Sequence, residues 1–249
     1  MTETDILKEA ERIIASAQSQ NIILRLLGGT AIAVHCPSAT HRAIARTYPD
    51  IDLVGLKNQS RLIRNFLPTI GYEPNEMFNA LRGGSRLMFF DTPNKRRIDI
   101  FLDYFEMCHR LELRDRLTID PKTLSLADLL ATKLQVVKTN EKDIKDIVAI
   151  LLDHDVGTDD QPETVNGKRL AKLCADDWGI YKTFTTVLAK TTVMVEQFDL
   201  NPEEKKTVKD RMERIIRLVE DEPKSTKWKM RARVGEKVAW YKLPEDLAE

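Results

Sequence analysis

Apolar residues fall at helical spacing near the start of the chain: Ile6, Leu7, Ala10, Ile13, Ile14 and Ala17 predict an amphipathic helix over residues 5–17. The run IILRLL (22–27) has no polar alternation and predicts a buried strand, closed by Gly28-Gly29 and followed by a short helix over TAIAVHC. IDLVG (51–55) predicts a second strand, and QSRLIRNFLPTIG (59–71) a helix that ends at Gly71. SRLMFFD and RIDIFLDYF, joined by TPNKR with its Pro-Asn turn signal, predict a β-hairpin. SLADLLATKLQVVK opens on Ser125 with Asp128 three residues on, a capping pattern, and reads as a helix; KDIKDIVAILLDH reads as another. The polar stretch DVGTDDQPETVNG predicts a loop, which places the domain boundary between residues 155 and 166. Beyond it the spacing is helical to about residue 222, with a marked helix start at Asn201-Pro202-Glu203-Glu204.

Two carboxylates interrupt the second strand, in RTYPDIDLVG. Acids inside a buried strand are costly unless something compensates them. Asp50 and Asp52 lie two residues apart, so on a strand they point to the same face, about 6.6–7 Å apart. Asp99 sits in RIDIFLD with Ile98, Ile100 and Leu102 on the opposite face. Three carboxylates on adjacent strands could hold two Mg²⁺ ions about 3.5–4 Å apart. The bland alternative is a polar strand end, its acids paired with Arg42 or Arg46. Gly28-Gly29 would let phosphates approach backbone N–H groups at a helix N-terminus, and Thr30 would add a hydroxyl; a tight turn is the plain alternative. Lys133 falls on the apolar stripe Leu126, Leu129, Leu130, Leu134 and Val137, and an inward lysine needs an anion. A triphosphate would serve, and so would a surface carboxylate reached along the helix. Asp143 flanks the stripe of its own helix while Asp146 falls off it, which favours Asp143 for a site role.

Composition narrows the class. The chain has 249 residues, 42% hydrophobic and 31% charged, as in an ordinary globular protein. Its apolar runs are too short to span a membrane, and the opening residues lack the basic-then-apolar order of a secretory signal. Cys36, Cys108 and Cys174 are odd in number and have no metal-ligand spacing, which points to the reducing cytoplasm. Net charge is zero, yet residues 224–242 hold seven basic residues and one acid. There Lys227, Lys229, Arg231 and Arg233 alternate with Trp228, Met230, Ala232 and Val234, a period of two that predicts a basic strand or extended arm. Such an arm suits a nucleic-acid backbone with stacking aromatics, or equally a strand packed by Trp228 with its charges solvated.

The order Gly-Gly-Thr at a strand end, Asp-Ile-Asp on the next strand and a third Asp on a later one resembles the DNA polymerase beta-type nucleotidyltransferases. LGGTAIAVH, R-x-Y-P-D-I-D-L and KLQVVKTNEKDIKD are most similar to the AbiEii-type toxin nucleotidyltransferases, over residues 20 to 153. The resemblance implies an α+β fold: a small mixed sheet flanked by helices in a catalytic domain over 1–155, then a mostly helical domain with a basic tail over 166–249. It implies Asp50, Asp52 and Asp99 as metal ligands and Gly28, Gly29 and Thr30 on the triphosphate. Lys133 would reach the phosphates, and Asp143 or Asp146 would complete the motif; Arg46, outside the carried-over motif, is a candidate either to touch the nucleotide or to order the loop before the strand. Lys138 or Asn140 stands where the family has an arginine.

The expectation is therefore a Mg²⁺-dependent enzyme that moves a nucleoside monophosphate from an NTP to an acceptor hydroxyl. The resemblance implies an RNA acceptor such as a tRNA 3′ end, and a cognate antitoxin as partner. A non-catalytic NTP- or RNA-binding module, or transfer to a protein or a small molecule, are the alternatives.

Overall fold

The structure, a computed structural model, describes residues 2–243, and these divide into two compact units. One holds the chain up to Val34, Thr47–Phe105 and Leu111–Ser125; the other holds His35–Arg46, Glu106–Arg110 and the chain from Leu126 on.

The first unit is built on a mixed sheet. Helix α1 (Ile6–Ser19) is capped by the Asp5 carboxylate, which accepts from the Leu7 and Lys8 N–H groups, and it buries Ala10, Ile13, Ile14 and Ala17. Strand β1 (Leu24–Leu27) is buried at all four residues and runs straight into α2 (Gly28–His35). Strand β2 (Ile51–Gly55) follows, then α3 (Ser60–Thr69), with Gly71 at φ 104° in the turn beyond it, where a side chain would be strained. Next come β3 (Glu73–Pro74), α4 (Glu76–Arg82), β4 (Arg86–Asp91) and β5 (Arg96–Leu102). Strand order is β1-β2-β5-β4-β3. The β2–β5 pair is parallel; β1–β2, β4–β5 and β3–β4 are antiparallel. The expected hairpin is β4–β5, and Lys95 in its turn takes φ 56°. Asp103 is structural: its carboxylate accepts from the Lys57 N–H at 2.9 Å and its N–H donates to the Gly55 carbonyl.

Strands β6 (Tyr104–Glu106) and β7 (Arg110–Glu112) form a separate two-stranded sheet. The second unit is mostly helical. Helix α5 (Leu126–Leu134) stops short of the expected residue 138, and Asp128 within it is bonded to Arg169 Nε at 3.0 Å. Beyond its end the buried Gln135 is committed elsewhere, its side-chain oxygen accepting from the His109 N–H at 2.9 Å. Helix α6 (Glu141–Asp153) is capped by Asn140.

Residues 155–166, expected to be a loop between domains, instead contain β8 (Asp155–Gly157) and β9 (Thr164–Asn166), a parallel pair inside the second unit. Val156 and Val165 are buried there, so a few apolar residues outweigh the polar composition around them. The chain passes between the two units several times, last at Ser125/Leu126, and residues 155–166 lie wholly within the second. Helices α7 (Gly167–Asp176), α8 (Trp178–Val195) and α9 (Pro202–Asp221) follow as the spacing requires, and α9 carries the full Asn201–Glu204 capping box.

The basic tail is a helix, not an extended arm. Helix α10 (Thr226–Val234) begins at Ser225, whose hydroxyl accepts from the Trp228 N–H, and ends at Gly235 with φ 59°. A hydroxyl cap, a glycine stop and good helix formers between them override the period-two alternation. All three cysteines are buried and free, and no helix of the described residues is long and apolar enough to cross a membrane.

Candidate metal and phosphate site

The sheet register puts the expected acids side by side. Across β1, β2, β5 and β4 the row runs Leu27, Asp52, Asp99, Met88, so Asp52 and Asp99 are direct partners on the parallel pair. Gly28 is the residue after Leu27. It adopts φ 70°, and a Cβ there would lie 2.6 Å from Asp52 Oδ2. A glycine is thus required at the end of β1 for two reasons, backbone conformation and the close approach of the Asp52 carboxylate. Thr30, in the first turn of α2, is 2% exposed, and its hydroxyl is buried with no hydrogen-bond partner.

Two arginines that the sequence reading did not assign to the site surround Asp99. Arg86 Nε donates to Asp99 Oδ1 at 2.9 Å, and its guanidinium lies 4.8 Å from the Phe101 ring centroid. Arg97 Nε is 2.7 Å from Asp99 Oδ2, and its outer nitrogen is 3.5 Å from Asp50 Oδ2. The Arg97–Asp99 contact is ionic but out of hydrogen-bonding line, so Asp99 Oδ2 is a buried oxygen that accepts no hydrogen bond. Asp50 lies just before β2, and its partner is Arg97 rather than Arg42 or Arg46. Burial pushes the Asp99 carboxyl above its usual range, Asp50 adds to that, and Arg86 and Arg97 offset only part of it. Arg97 was legible: it stands two residues before Asp99 on one strand and so shares its face. Arg86 follows from the hairpin register, diagonal to Asp99 beside Met88.

The donor set is three carboxylates, the chemistry of a hard divalent cation, and one of its oxygens is buried without a hydrogen bond. As the side chains stand, Arg97 supplies the positive charge between Asp50 and Asp99, and among the described residues no three acid, His or Cys side chains form a ready cation cage. The Arg97 side chain is 45% exposed and can swing to solvent, so the residues fit divalent cations that displace it.

The remaining expected residues form a second cluster, within the helical unit. Lys133 Nζ lies 2.9 Å from Asp143 Oδ1 and 2.8 Å from Asp146 Oδ2. Arg46 grips Asp146 through two bonds, Nε to Oδ1 at 2.8 Å and the outer nitrogen to Oδ2 at 2.7 Å. Asp146, not Asp143, is the centre of this cluster and the more buried of the two. Helical-stripe reasoning missed this because α6 is covered on more than one side: Asp146 is buried along with Ile144, Ile147 and Val148. The N-cap role on α6 belongs to Asn140, which accepts from the Asp143 N–H. Burial pulls the Lys133 ammonium down, but Asp146 and Asp143 together outweigh it and leave it raised. The anion that an inward Lys133 requires is therefore already present as two aspartates, and Arg46 is engaged in the same neutral set.

No protein-family model matches the chain, and a search of curated proteins returns no match either.

Proposed function

We propose that this protein is a divalent-cation-dependent nucleotidyltransferase of the DNA polymerase beta type, resembling the AbiEii-type toxins. Its reaction would join the α-phosphorus of an NTP to an acceptor hydroxyl, break the α–β phosphoanhydride bond and release pyrophosphate, the hydroxyl proton passing to solvent or a carboxylate. The observation that supports this best is the grouping of Gly28, Asp52 and Asp99: a helix-initiating glycine packed on one carboxylate, itself paired in register with a second.

In this reading Asp50, Asp52 and Asp99 hold the cations, with Asp99 nearest the attacking hydroxyl. Bound divalent cations would lower the pKa of that hydroxyl and neutralise the departing pyrophosphate. Gly28 and Gly29 admit the phosphates to the backbone N–H groups that open α2, and Thr30 supplies a hydroxyl. Arg97, once displaced from the carboxylates, and Arg86 are cations available to phosphate oxygens; Lys133 and Arg46 serve by ordering Asp146. Such a site acts by position and charge, because the transferring group spreads its charge over phosphoryl oxygens. The proposed acceptor is RNA, a tRNA 3′ end in particular, in a cytoplasmic toxin role opposed by a cognate antitoxin.

The test is incubation with Mg²⁺, each α-labelled NTP in turn and total RNA. Label should enter RNA with pyrophosphate release, and Asp52→Asn should lower the rate by about 10³-fold. Label entering protein would move the acceptor to a polypeptide. NTP binding without transfer, the same in wild type and Asp52→Asn, would refute catalysis and leave a binding module.

A further inference from the structure

All three tryptophans of the chain line one cleft of about 570 Å³ in the helical unit. Trp178 opens α8, Trp228 lies on α10, and Trp240 belongs to the segment after it, with Tyr241 beside it. The walls are fixed from behind. The Trp228 indole N–H donates to the Cys174 carbonyl at 2.8 Å, and the Trp240 indole N–H donates to Thr183 Oγ1 at 3.2 Å. Trp178 and Trp240 meet edge to face at 6.2 Å, and Trp240 and Tyr241 at 5.1 Å. Arg231 lies 4.6 Å from the Trp178 ring centroid and donates to the carbonyls of Gly235 and Val238, tying α10 to the segment that follows. That segment passes so close to α8 that a Cβ on Gly179 would lie 2.5 Å from the Trp240 carbonyl. The Lys242 N–H then donates to the Cys108 carbonyl at 3.1 Å. With their indole N–H groups turned inward to protein acceptors, Trp228 and Trp240 offer the cleft apolar π surface rather than donors.

Charge of both signs lines this aromatic wall: Glu106, Asp176 and Asp177 stand with Arg110, Lys227, Arg231 and Lys242, and Lys242 pairs with Glu106 at 3.0 Å, so the excess of cations comes from α10 and the segment after it. Residues 224–242 carry a formal charge of +6, from seven basic side chains and Glu236. Lys227 at the cleft, and Lys229 and Arg233 further along α10, are exposed. Rigid aromatic surface beside exposed cations matches a polyanion whose units carry π faces. An acidic peptide would satisfy the charges but not the rings, and a duplex keeps its bases stacked on one another and out of reach.

We propose that this three-tryptophan cleft binds single-stranded nucleic acid, bases against the rings and phosphates against Lys227, Lys229 and Arg233. The inference does not rest on the reading of the Asp52–Asp99 site, and it holds or fails without catalysis.

Because every tryptophan of the protein lies at the cleft, intrinsic fluorescence reads it directly. A 12-nucleotide oligouridylate added to the full chain at about 100 mM salt should quench emission saturably. Lys227→Glu/Lys229→Glu should weaken binding at least about tenfold and flatten its salt dependence, with an unchanged thermal melt because both side chains are exposed. Trp240→Leu should lower affinity for the oligonucleotide while leaving the salt slope as it was. A 12-base-pair RNA duplex and polyglutamate of equal charge should each bind at least about tenfold more weakly. The proposal is overturned if quenching does not saturate, if polyglutamate or duplex competes equally, or if the double charge reversal leaves affinity unchanged.

Discussion

Asp52 and Asp99 are register partners on the parallel β2–β5 pair, although one lies in an Asp-x-Asp segment and the other 47 positions later on the strand that closes the hairpin. Neighbouring acids of like charge, one of them the fully buried Asp99, favour protonation or a bound cation. Here Arg86 and Arg97 supply positive charge to Asp99, and the more exposed Arg97 also faces Asp50.

Arg97 would therefore compete with a divalent cation for Asp50 and Asp99. Arg97→Gln should tighten Mn²⁺ binding by about tenfold, less than the bare Coulomb energy because the side chain is partly exposed and screened. Calorimetric titration with Mn²⁺ measures it. An affinity unchanged from wild type would count against Asp50 and Asp99 as cation ligands.

Gly28→Ala should act twice. Holding alanine at φ 70° should cost about 1–3 kcal/mol of stability, read by urea unfolding. The added methyl also displaces the Asp52 carboxylate, so Mn²⁺ affinity should fall even at temperatures where the variant is fully folded.

The pH dependence of Asp99 has a definite sign. Its folded pKa is raised by burial, so the native state binds the proton more tightly than the unfolded chain does. Its contribution to stability is then fully present below the unfolded value, near 3.8, and is lost as pH rises through the folded value. The stability of wild type relative to Asp99→Asn should increase as pH is lowered from neutrality, and saturating Mg²⁺ should diminish that trend. Denaturant titrations at a series of pH values, with and without Mg²⁺, decide it; a difference independent of pH would contradict the raised pKa.

Asp146 neutralises two largely buried cations at once. Asp146→Ala should destabilise the protein by about 3–5 kcal/mol, since Lys133 and Arg46 lose their common partner. Adding Lys133→Met to that variant should recover part of the loss, giving a coupling term well above experimental error in a double-mutant cycle.

Legibility in the sequence followed the kind of signal involved. The β4–β5 hairpin, the strand bearing Asp52 and the Asn201–Glu204 helix start were readable because turn residues, strand period and capping chemistry agree locally. Helix α10 was misread because alternating basic and apolar residues fit a strand on paper, whereas Ser225 and Gly235 fix a helix of nine residues. The β8–β9 pair was hidden in a polar stretch whose pairing joins residues across an intervening turn. Asp146 was undervalued because a stripe drawn on one helix carries no information about what packs on its other faces. Arg86 was passed over because its use depends on sheet register, which is set by pairing between segments, whereas Arg97 follows from the strand period alone.

The Arg46–Asp146 grip spans 100 residues of chain. At roughly 5–20 residues per second on the ribosome, Arg46 is made some 5–20 s before its carboxylate partner. The helical unit also draws His35–Arg46 and Glu106–Arg110 from the middle of the first unit's sequence. Its nascent form must therefore wait for the second half of the chain, and a fragment begun at Leu126 would lack the arginine that holds Asp146. Synthesis order thus makes this a protein that completes its charged core late, and as one piece.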